Sequence, residues 1–129
     1  MRYMLDTNHV VYAIRAEGAV RRRVESAFAL GLCVSAVSIA ELEYGSLRSP
    51  DPERHRARWR RFLDPFDVLP FDCAAALEHA AIRAVLRQAP IGERDLLIAA
   101  SARAHRLTVV THNLDEFRRV PGLLVEDWL

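Results

Sequence analysis

The sequence contains no lysine, and its basic character rests on arginine alone. The 18 basic residues are all arginines, and 17 acidic residues balance them to a formal net charge of only +1 at pH 7. Mechanisms that need a catalytic or phosphate-binding lysine are therefore excluded. The same balance excludes a uniformly basic nucleic-acid coat and an acidic tail, but it leaves room for a local basic patch.

Cysteines and long apolar runs are also scarce. Cys33 and Cys73 form no C-x-x-C metal motif, and we expect both to be buried free thiols. The longest uncharged stretch, residues 26–40, is shorter than the roughly 18–20 apolar residues that a membrane span requires. We therefore expect a cytoplasmic protein that makes no membrane contact.

The rest of the sequence has the composition of a globular domain, with 51% hydrophobic and 27% charged residues. Short apolar segments predict strands at Arg2–Leu5, Leu32–Ser35, Phe66–Leu69, Leu107–Val110 and Leu124–Glu126. Helical periodicity predicts helices at Thr7–Arg15, Ala19–Leu30, Ser38–Leu47, Pro52–Leu63, Cys73–Gln88, Arg94–His105 and Leu114–Arg118. The alternation predicts one α/β domain over residues 1–129, with a central parallel sheet of about four to five strands covered on both faces.

The helix predicted at Cys73–Gln88 is the most clearly amphipathic segment. Ala74, Leu77, Ala81 and Val85 recur at helical spacing, so we expect them to face the core. We also expect the five phenylalanines to be core residues: Phe28, Phe62, Phe66, Phe71 and Phe117.

Acidic and amide side chains follow the predicted strands. Asp6 directly follows the first strand, and Glu41 lies in the first predicted turn of the helix after the second. Asp95 opens the helix that precedes the Leu107–Val110 strand, while Asn113 and Glu116 follow that strand. Because function gathers beyond the carboxyl ends of parallel strands, we expect these side chains to converge on one rim.

Helix capping offers a structural alternative for each of these residues. Asp6 could cap the following helix, Ser38 and Glu41 fit a capping box, and Asp95 could complement a helix dipole. Taken together, however, clustered carboxylates repel one another unless a cation lies among them. Oxygen ligands favour Mg²⁺ or Mn²⁺, and such a site suits hydrolysis of a phosphodiester by a metal-activated water.

Five segments resemble the motifs of PIN-domain ribonucleases and, within them, the VapC-type toxins of bacterial toxin–antitoxin pairs. They are Met4–Asn8, Val34–Gly45, Ile91–Ala100, Val110–Phe117 and Pro121–Trp128. No single segment is specific, but the five occur in the family's order and spacing and span nearly the whole chain. The resemblance implies a PIN-like three-layer α/β/α sandwich.

The resemblance also implies an activity and partners. It implies Mg²⁺-dependent endonucleolytic cleavage of RNA, with Mn²⁺ as the alternative ion. A transfer RNA is the favoured substrate, with the initiator as the leading species and ribosomal RNA as the second choice. A homodimer and a VapB-type antitoxin that blocks the site are the implied protein partners.

Carried over residue by residue, the resemblance makes Asp6, Glu41 and Asp95 acidic metal ligands or residues that position water. Many PIN domains have an aspartate where this chain has Asn113, and the toxin branch often uses a later acid, here Glu116. These five residues are the predicted catalytic set, and the composition of a second metal site stays open.

Other residues near the predicted rim have supporting roles or none. Asp115 is a weaker candidate than Glu116 for the fourth position. Thr7 and Thr111 are candidate hydroxyl donors around the site, or ordinary strand-end threonines. Arg94, beside Asp95, is predicted to contact a phosphate or the antitoxin.

Residues 54–61 include five arginines together with His55 and Trp59. Guanidinium groups bind phosphate and stack on bases, so Arg56 and Arg60 are candidate RNA contacts. The alternative is a solvated helix face whose Trp59 packs into the core or a dimer interface.

The histidines show no spacing for metal-independent acid–base cleavage, although His9 and His112 lie near the predicted rim and could touch substrate. A phosphotransfer domain with Asp6 as nucleophile is disfavoured, because Asn8 stands where a phosphatase needs an acid and the chain has no lysine. Two further alternatives stay open. One stays within the family and is a nuclease that processes ribosomal RNA or structured DNA and is not a toxin. The other comes from a different functional class and is a catalytically silent PIN-like binding module.

Overall fold

The computed structural model describes residues 2–16 and 18–129, and within them five strands alternate with seven α-helices. The strands are β1 (Tyr3–Leu5), β2 (Leu32–Ser35), β3 (Asp67–Leu69), β4 (Thr108–Val110) and β5 (Val125–Glu126). The helices are α1 (Thr7–Arg15), α2 (Ala19–Ala27), α3 (Ala36–Leu47), α4 (Pro52–Leu63), α5 (Cys73–Val85), α6 (Glu93–Ala104) and α7 (Leu114–Phe117). A 3-10 helix, Phe28–Leu30, extends α2. Every predicted element is present, and its ends shift by at most three residues.

The five strands form one parallel sheet in the order β3-β2-β1-β4-β5. β1 lies at the centre, where Tyr3 is opposite Leu32 on one side and Thr108 on the other. Along the chain, β2 and β3 add to one side of β1, and β4 and β5 then add to its other side. The crevice between β1 and β4 is therefore the switch point at which such sheets place their functional groups.

Helices cover both faces of the sheet, because alternate strand residues point to opposite sides and both sides are apolar. On one face, Leu5 and Val34 pack with a cluster that includes Val10 of α1 and Trp59 of α4. On the other face lies a second cluster of strand and helix residues, which includes Met4, Cys33, Ile82, Ile98, Val109 and Phe117. The predicted three-layer α/β/α sandwich with a parallel sheet is thus confirmed.

The burial predicted for α5 was wrong. Leu77 is 75% and Val85 is 60% exposed, while Ile82 and Leu86 of the same segment are buried. Both rows of side chains have helical spacing, so periodicity could not decide which one packs on the sheet. Cys73, at the start of α5, is consequently exposed rather than buried, whereas Cys33 in β2 is buried as predicted.

Of the five phenylalanines that were predicted to be core residues, two are fully confirmed. Phe66 and Phe117 are buried, and Phe62 is half-buried against the first core cluster. Phe28, in the 3-10 helix, and Phe71, in the connection between β3 and α5, are exposed. None of the helices in the described residues is long and apolar enough to cross a membrane.

Candidate active site

Asp6 lies at the switch point, directly after β1, and its carboxylate is bonded on both sides. Oδ1 accepts a hydrogen bond from the backbone N–H of His9 (2.9 Å), which caps α1 as the structural alternative proposed. Oδ2 accepts from the hydroxyl of Thr111 (2.6 Å), the residue that follows β4. Asp6 is only 4% exposed, and burial raises its pKa despite these two hydrogen bonds. The capping role therefore coexists with a buried carboxyl whose charged form is disfavoured.

Asp95 and Glu116 approach each other around the side chain of Asn113. The Asn113 Nδ2 group donates to Asp95 Oδ2 (2.8 Å) and to Glu116 Oε2 (2.9 Å). Burial, together with a hydrogen bond to Glu116 and the charges of Glu116 and Asp6, raises the pKa of Asp95 to about 6. The same hydrogen bond with Asp95 lowers the pKa of Glu116. Asp95 is therefore the carboxyl that holds the proton as the pH falls.

Glu41 reaches the site from the second turn of α3, since this helix begins earlier than predicted. Ser35 caps α3 through a hydrogen bond from the Val37 N–H to its hydroxyl (3.0 Å). The capping box between Ser38 and Glu41 was therefore a wrong prediction, because Ser38 is already inside the helix. Its hydroxyl instead lies 2.9 Å from that of Thr7.

Two side chains from other elements hold the Glu41 carboxylate. The Thr7 hydroxyl donates to Oε1 (2.8 Å), and Arg94 Nη1 of α6 donates to Oε2 (3.1 Å). Arg94 remains 74% exposed, so its guanidinium lies at the solvent edge of the site. Thr7 and Thr111 thus have similar roles, since the hydroxyl of each donates to one carboxylate of the site.

An open cavity of about 740 Å³ lies in front of these groups. Its lining includes five of the predicted residues: Glu41, Arg94, Asp95, Asn113 and Glu116. Asp6 is buried behind the lining residues, but its charge still interacts with theirs. The charge of Glu41 raises the pKa of Asp6, and the charge of Asp6 raises the pKa of Asp95. The acids predicted from strand ends therefore do meet at one rim.

Two predicted RNA contacts lie outside this cavity. Arg56 donates through Nε to both oxygens of Glu43 (2.7 and 3.1 Å), which joins α4 to α3. The guanidinium of Arg60 lies 5.6 Å from the ring centroid of Trp59, and Trp59 is buried in the core. The alternative that Trp59 packs into the core is therefore confirmed. Arg56 already forms an ion pair with Glu43.

Some residues of the site were not singled out from the sequence. Asn8, Glu93 and Leu97 line the cavity, and each lies inside one of the segments Met4–Asn8 and Ile91–Ala100 without having been given a role. His9 is fully buried, and its Nε2 accepts a hydrogen bond from the Trp128 N–H (3.3 Å). His9 is therefore shielded from any substrate and ties the C-terminal segment to α1.

The donor set fits a hard divalent cation. The acidic groups that meet here are carboxylates, whose oxygens such a cation prefers, and burial or mutual repulsion raises the pKa of two of them. Within residues 2–16 and 18–129, no three His, Cys, Asp or Glu side chains lie close enough together to hold an ion as they stand. Arg94 instead pairs with the charge of Glu41, and Asn113 donates a hydrogen bond to Asp95.

The parallel sheet with carboxylates at its switch point is the arrangement that the sequence resemblance implied, and comparisons with known proteins identify the family. The family model described as the PIN domain matches residues 3–123. The tRNA(fMet)-specific endonuclease VapC of Shigella flexneri is 42% identical over 99% of this chain and 98% of the relative. The protein of the same name from Salmonella typhimurium is 37% identical over the same shares of both chains.

Solved structures give the same result. VapBC2 from Rickettsia felis, in a crystal structure with a DNA fragment from their promoter, matches with a TM-score of 0.94 at 34% identity, and the match covers all of both chains. The chain belongs to the VapC family of PIN-domain proteins. PIN-domain nucleases generally depend on a divalent metal ion.

Proposed function

We propose that residues 1–129 form a single-domain, Mg²⁺-dependent endoribonuclease that acts as a toxin and is neutralised by a VapB-type antitoxin. The observation that carries this proposal is the buried Asp6 carboxylate, which Thr111 fixes at the switch point of the sheet beside Asp95 and Glu41. A folded protein has little reason to bury and crowd these acids unless they bind a cation. Membership of the VapC family supplies RNA as the substrate class.

The proposed ion site uses Asp6, Asp95 and Glu41, with Mn²⁺ as an alternative to Mg²⁺. When bound, the ion would supply an activated water and would neutralise charge on the phosphoryl oxygens. Asn113 orients Asp95 and Glu116 through its two N–H bonds, and it keeps Glu116 beside the site.

Arg94 has a separate proposed role toward the substrate. Its guanidinium is largely exposed and holds Glu41 through a single hydrogen bond, so a phosphate can replace this carboxylate at little cost. Release of Glu41 would leave that carboxylate, still oriented by Thr7, available to the ion. The substrate and the ion would therefore complete the site together.

The proposed target is a transfer RNA, and the initiator is the first choice because relatives from Shigella and Salmonella are named tRNA(fMet)-specific endonucleases. Ribosomal RNA is the second choice. The proposed antitoxin follows from the similarity to VapBC2 from Rickettsia felis and to VapBC-5 from Mycobacterium tuberculosis, which is described as a member of the VapBC family of toxin–antitoxin systems. An RNA-processing nuclease that is not a toxin is the alternative function.

Cleavage of purified RNA tests the proposal. With Mg²⁺, the purified protein should cut initiator tRNA at one position, as mapped by sequencing the new 5′ ends. Excess EDTA should abolish the cut, and added Mg²⁺ should restore it, because the histidines of the sequence show no spacing for metal-independent acid–base cleavage.

Three results would each count against part of this function. A protein that neither cuts RNA nor gains thermal stability with Mg²⁺ would be a silent binding module. Cleavage that persists in EDTA would exclude the metal-dependent reaction. Cleavage of ribosomal precursors without growth arrest on expression would favour the processing nuclease.

We also propose that the exposed row on α5 forms the homodimer contact that the family resemblance implies. Leu77 and Val85 are two turns apart on one face and are among the most exposed large apolar side chains of the described residues. Leu77→Glu should raise the dimer dissociation constant by at least about 30-fold, since it buries an unpaired charge.

Sedimentation velocity over a concentration series measures this effect. Leu47→Glu is the matched control, because Leu47 is exposed to a similar degree at the end of α3. A Leu77→Glu protein that remains as dimeric as the control would place the contact elsewhere.

A further inference from the structure

A second groove adjoins the catalytic cavity. It has a volume of about 750 Å³ and lies among α1, α3 and α4. Glu41 and Arg94 line both spaces, so the groove begins at the ion pair that borders the cavity. A polymer whose reacting phosphate lies at the carboxylates therefore has a defined path away from them along α3.

The groove has the opposite electrostatic character from the cavity. Arg15, Arg48 and Arg94 line it together with His55, and Glu41 is the one carboxylate among its lining residues. None of these three arginines belongs to the arginine-rich segment 54–61. The local basic patch that the net charge permits thus occurs next to the acidic site, where an anionic polymer needs it.

An aromatic side chain stands in this groove at a suitable spacing from the site. Tyr44 is 61% exposed and lies three residues after Glu41 on α3, so the two side chains share a face of the helix. Arg48, one turn further on, places its guanidinium carbon 5.0 Å from the centroid of the Tyr44 ring. Along the helix axis, Tyr44 and Arg48 lie about 4.5 and 10.5 Å beyond Glu41.

We propose that this groove binds the nucleotide adjoining the scissile phosphate, with its base stacked on Tyr44 and its phosphate paired with Arg48. The inference rests on the proposed ribonuclease function and names a binding subsite for that substrate. Exposed aromatic rings beside guanidinium groups are the arrangement that holds single-stranded nucleic acid, and they bind any base. Tyr44 is then a substrate-binding residue without base selectivity, so discrimination among RNAs must come from other contacts.

An abasic scan tests this subsite. The substrate is the shortest RNA that wild-type protein cuts, with one nucleotide at a time replaced by its abasic form. Wild-type kcat/KM should fall about 5- to 100-fold at one position beside the cut, because stacking on an aromatic ring is lost there. Tyr44→Ala should show a similar loss on the intact RNA and no further loss on that abasic RNA.

Control variants separate stacking from other effects. Tyr44→Phe keeps the ring and should retain wild-type activity. Tyr12→Ala removes a tyrosine that is 46% exposed on α1 but lies outside both lining sets, and it should leave kcat/KM unchanged. Arg48→Gln should weaken RNA binding and reduce the slope of log affinity against log salt by about one.

Some results would overturn the subsite alone, and one would refute the proposed function itself. Full activity of Tyr44→Ala, or losses that add in the variant and the abasic RNA, would overturn the subsite. If Tyr44→Ala cleaves RNA as wild type does but is inhibited less by the antitoxin, the groove belongs to the protein partner, and the RNA subsite is overturned as well. Absence of cleavage by the wild-type protein would instead refute the proposed function, and the subsite with it.

Discussion

Asp6→Asn is expected to abolish RNA cleavage, lowering kcat/KM by at least about 1,000-fold while the protein still folds. The amide can still accept from the His9 N–H and bond to Thr111, so the end of β1 keeps its contacts. What disappears is the negative charge at the centre of the proposed ion site. Interactions with a catalytic cation contribute several kcal/mol to the transition state, which corresponds to at least three decades in rate.

The measurement is initial-rate cleavage of the mapped RNA, together with circular dichroism and a melting curve. Asp64→Asn is the matched control, because Asp64 is exposed at the end of α4 and lines neither cavity nor groove. Full activity of Asp6→Asn would remove Asp6 from the catalytic set. Since burial disfavours the charged form of Asp6, the variant should melt no lower than wild type.

The second large effect is expected at Asp95, where Asp95→Asn should stabilise the metal-free protein at pH 8. The folded-state pKa of about 6 exceeds the ordinary value of 3.8, so folding disfavours the ionised carboxyl. The resulting penalty is absent below about pH 4, grows as the pH rises through about 6, and is complete above it. Discounted for the partial exposure of Asp95, it is about 1 kcal/mol, or a rise in Tm of roughly 4 °C for the variant.

Melting curves in EDTA at pH 4 and pH 8 measure this, and a second series with Mg²⁺ completes the test. The advantage of the variant should appear at pH 8 and nearly vanish at pH 4. Mg²⁺ should raise the Tm of wild type and leave that of Asp95→Asn almost unchanged, because ligand binding stabilises only the form that binds. A variant that is destabilised equally at both pH values would show that Asp95 has an ordinary structural role.

The position of the site was predictable because strand ends can be read from apolar runs, and a parallel sheet brings those ends together. Asp6 and Thr111 are 105 positions apart, yet each directly follows a segment that reads as a strand. The start of α3 was not predictable in the same way. Ser35 and Ser38 are both suitable caps, and the choice is made by where the pairing of β2 with β3 ends, at Ser35.

Side-chain partners were the least predictable feature. The sequence shows five arginines in residues 54–61, but it does not show that Glu43 takes one of them. Likewise, α5 carries two apolar rows, and only the sheet decides that the row of Ile82 and Leu86 is the buried one. Long-range contacts fix both choices, and a single-sequence pattern contains only local information.

The central position of β1 has a consequence for how a cell can make this protein. β1 is synthesised early, but one of its two partner strands is β4, and the Asp6 carboxylate needs the Thr111 hydroxyl. Domains fold as units while synthesis proceeds from the N-terminus. The site is therefore incomplete after Asp6, Glu41 and Asp95 have all been synthesised, and ribonuclease activity is expected to arise only after residue 111 has left the ribosome.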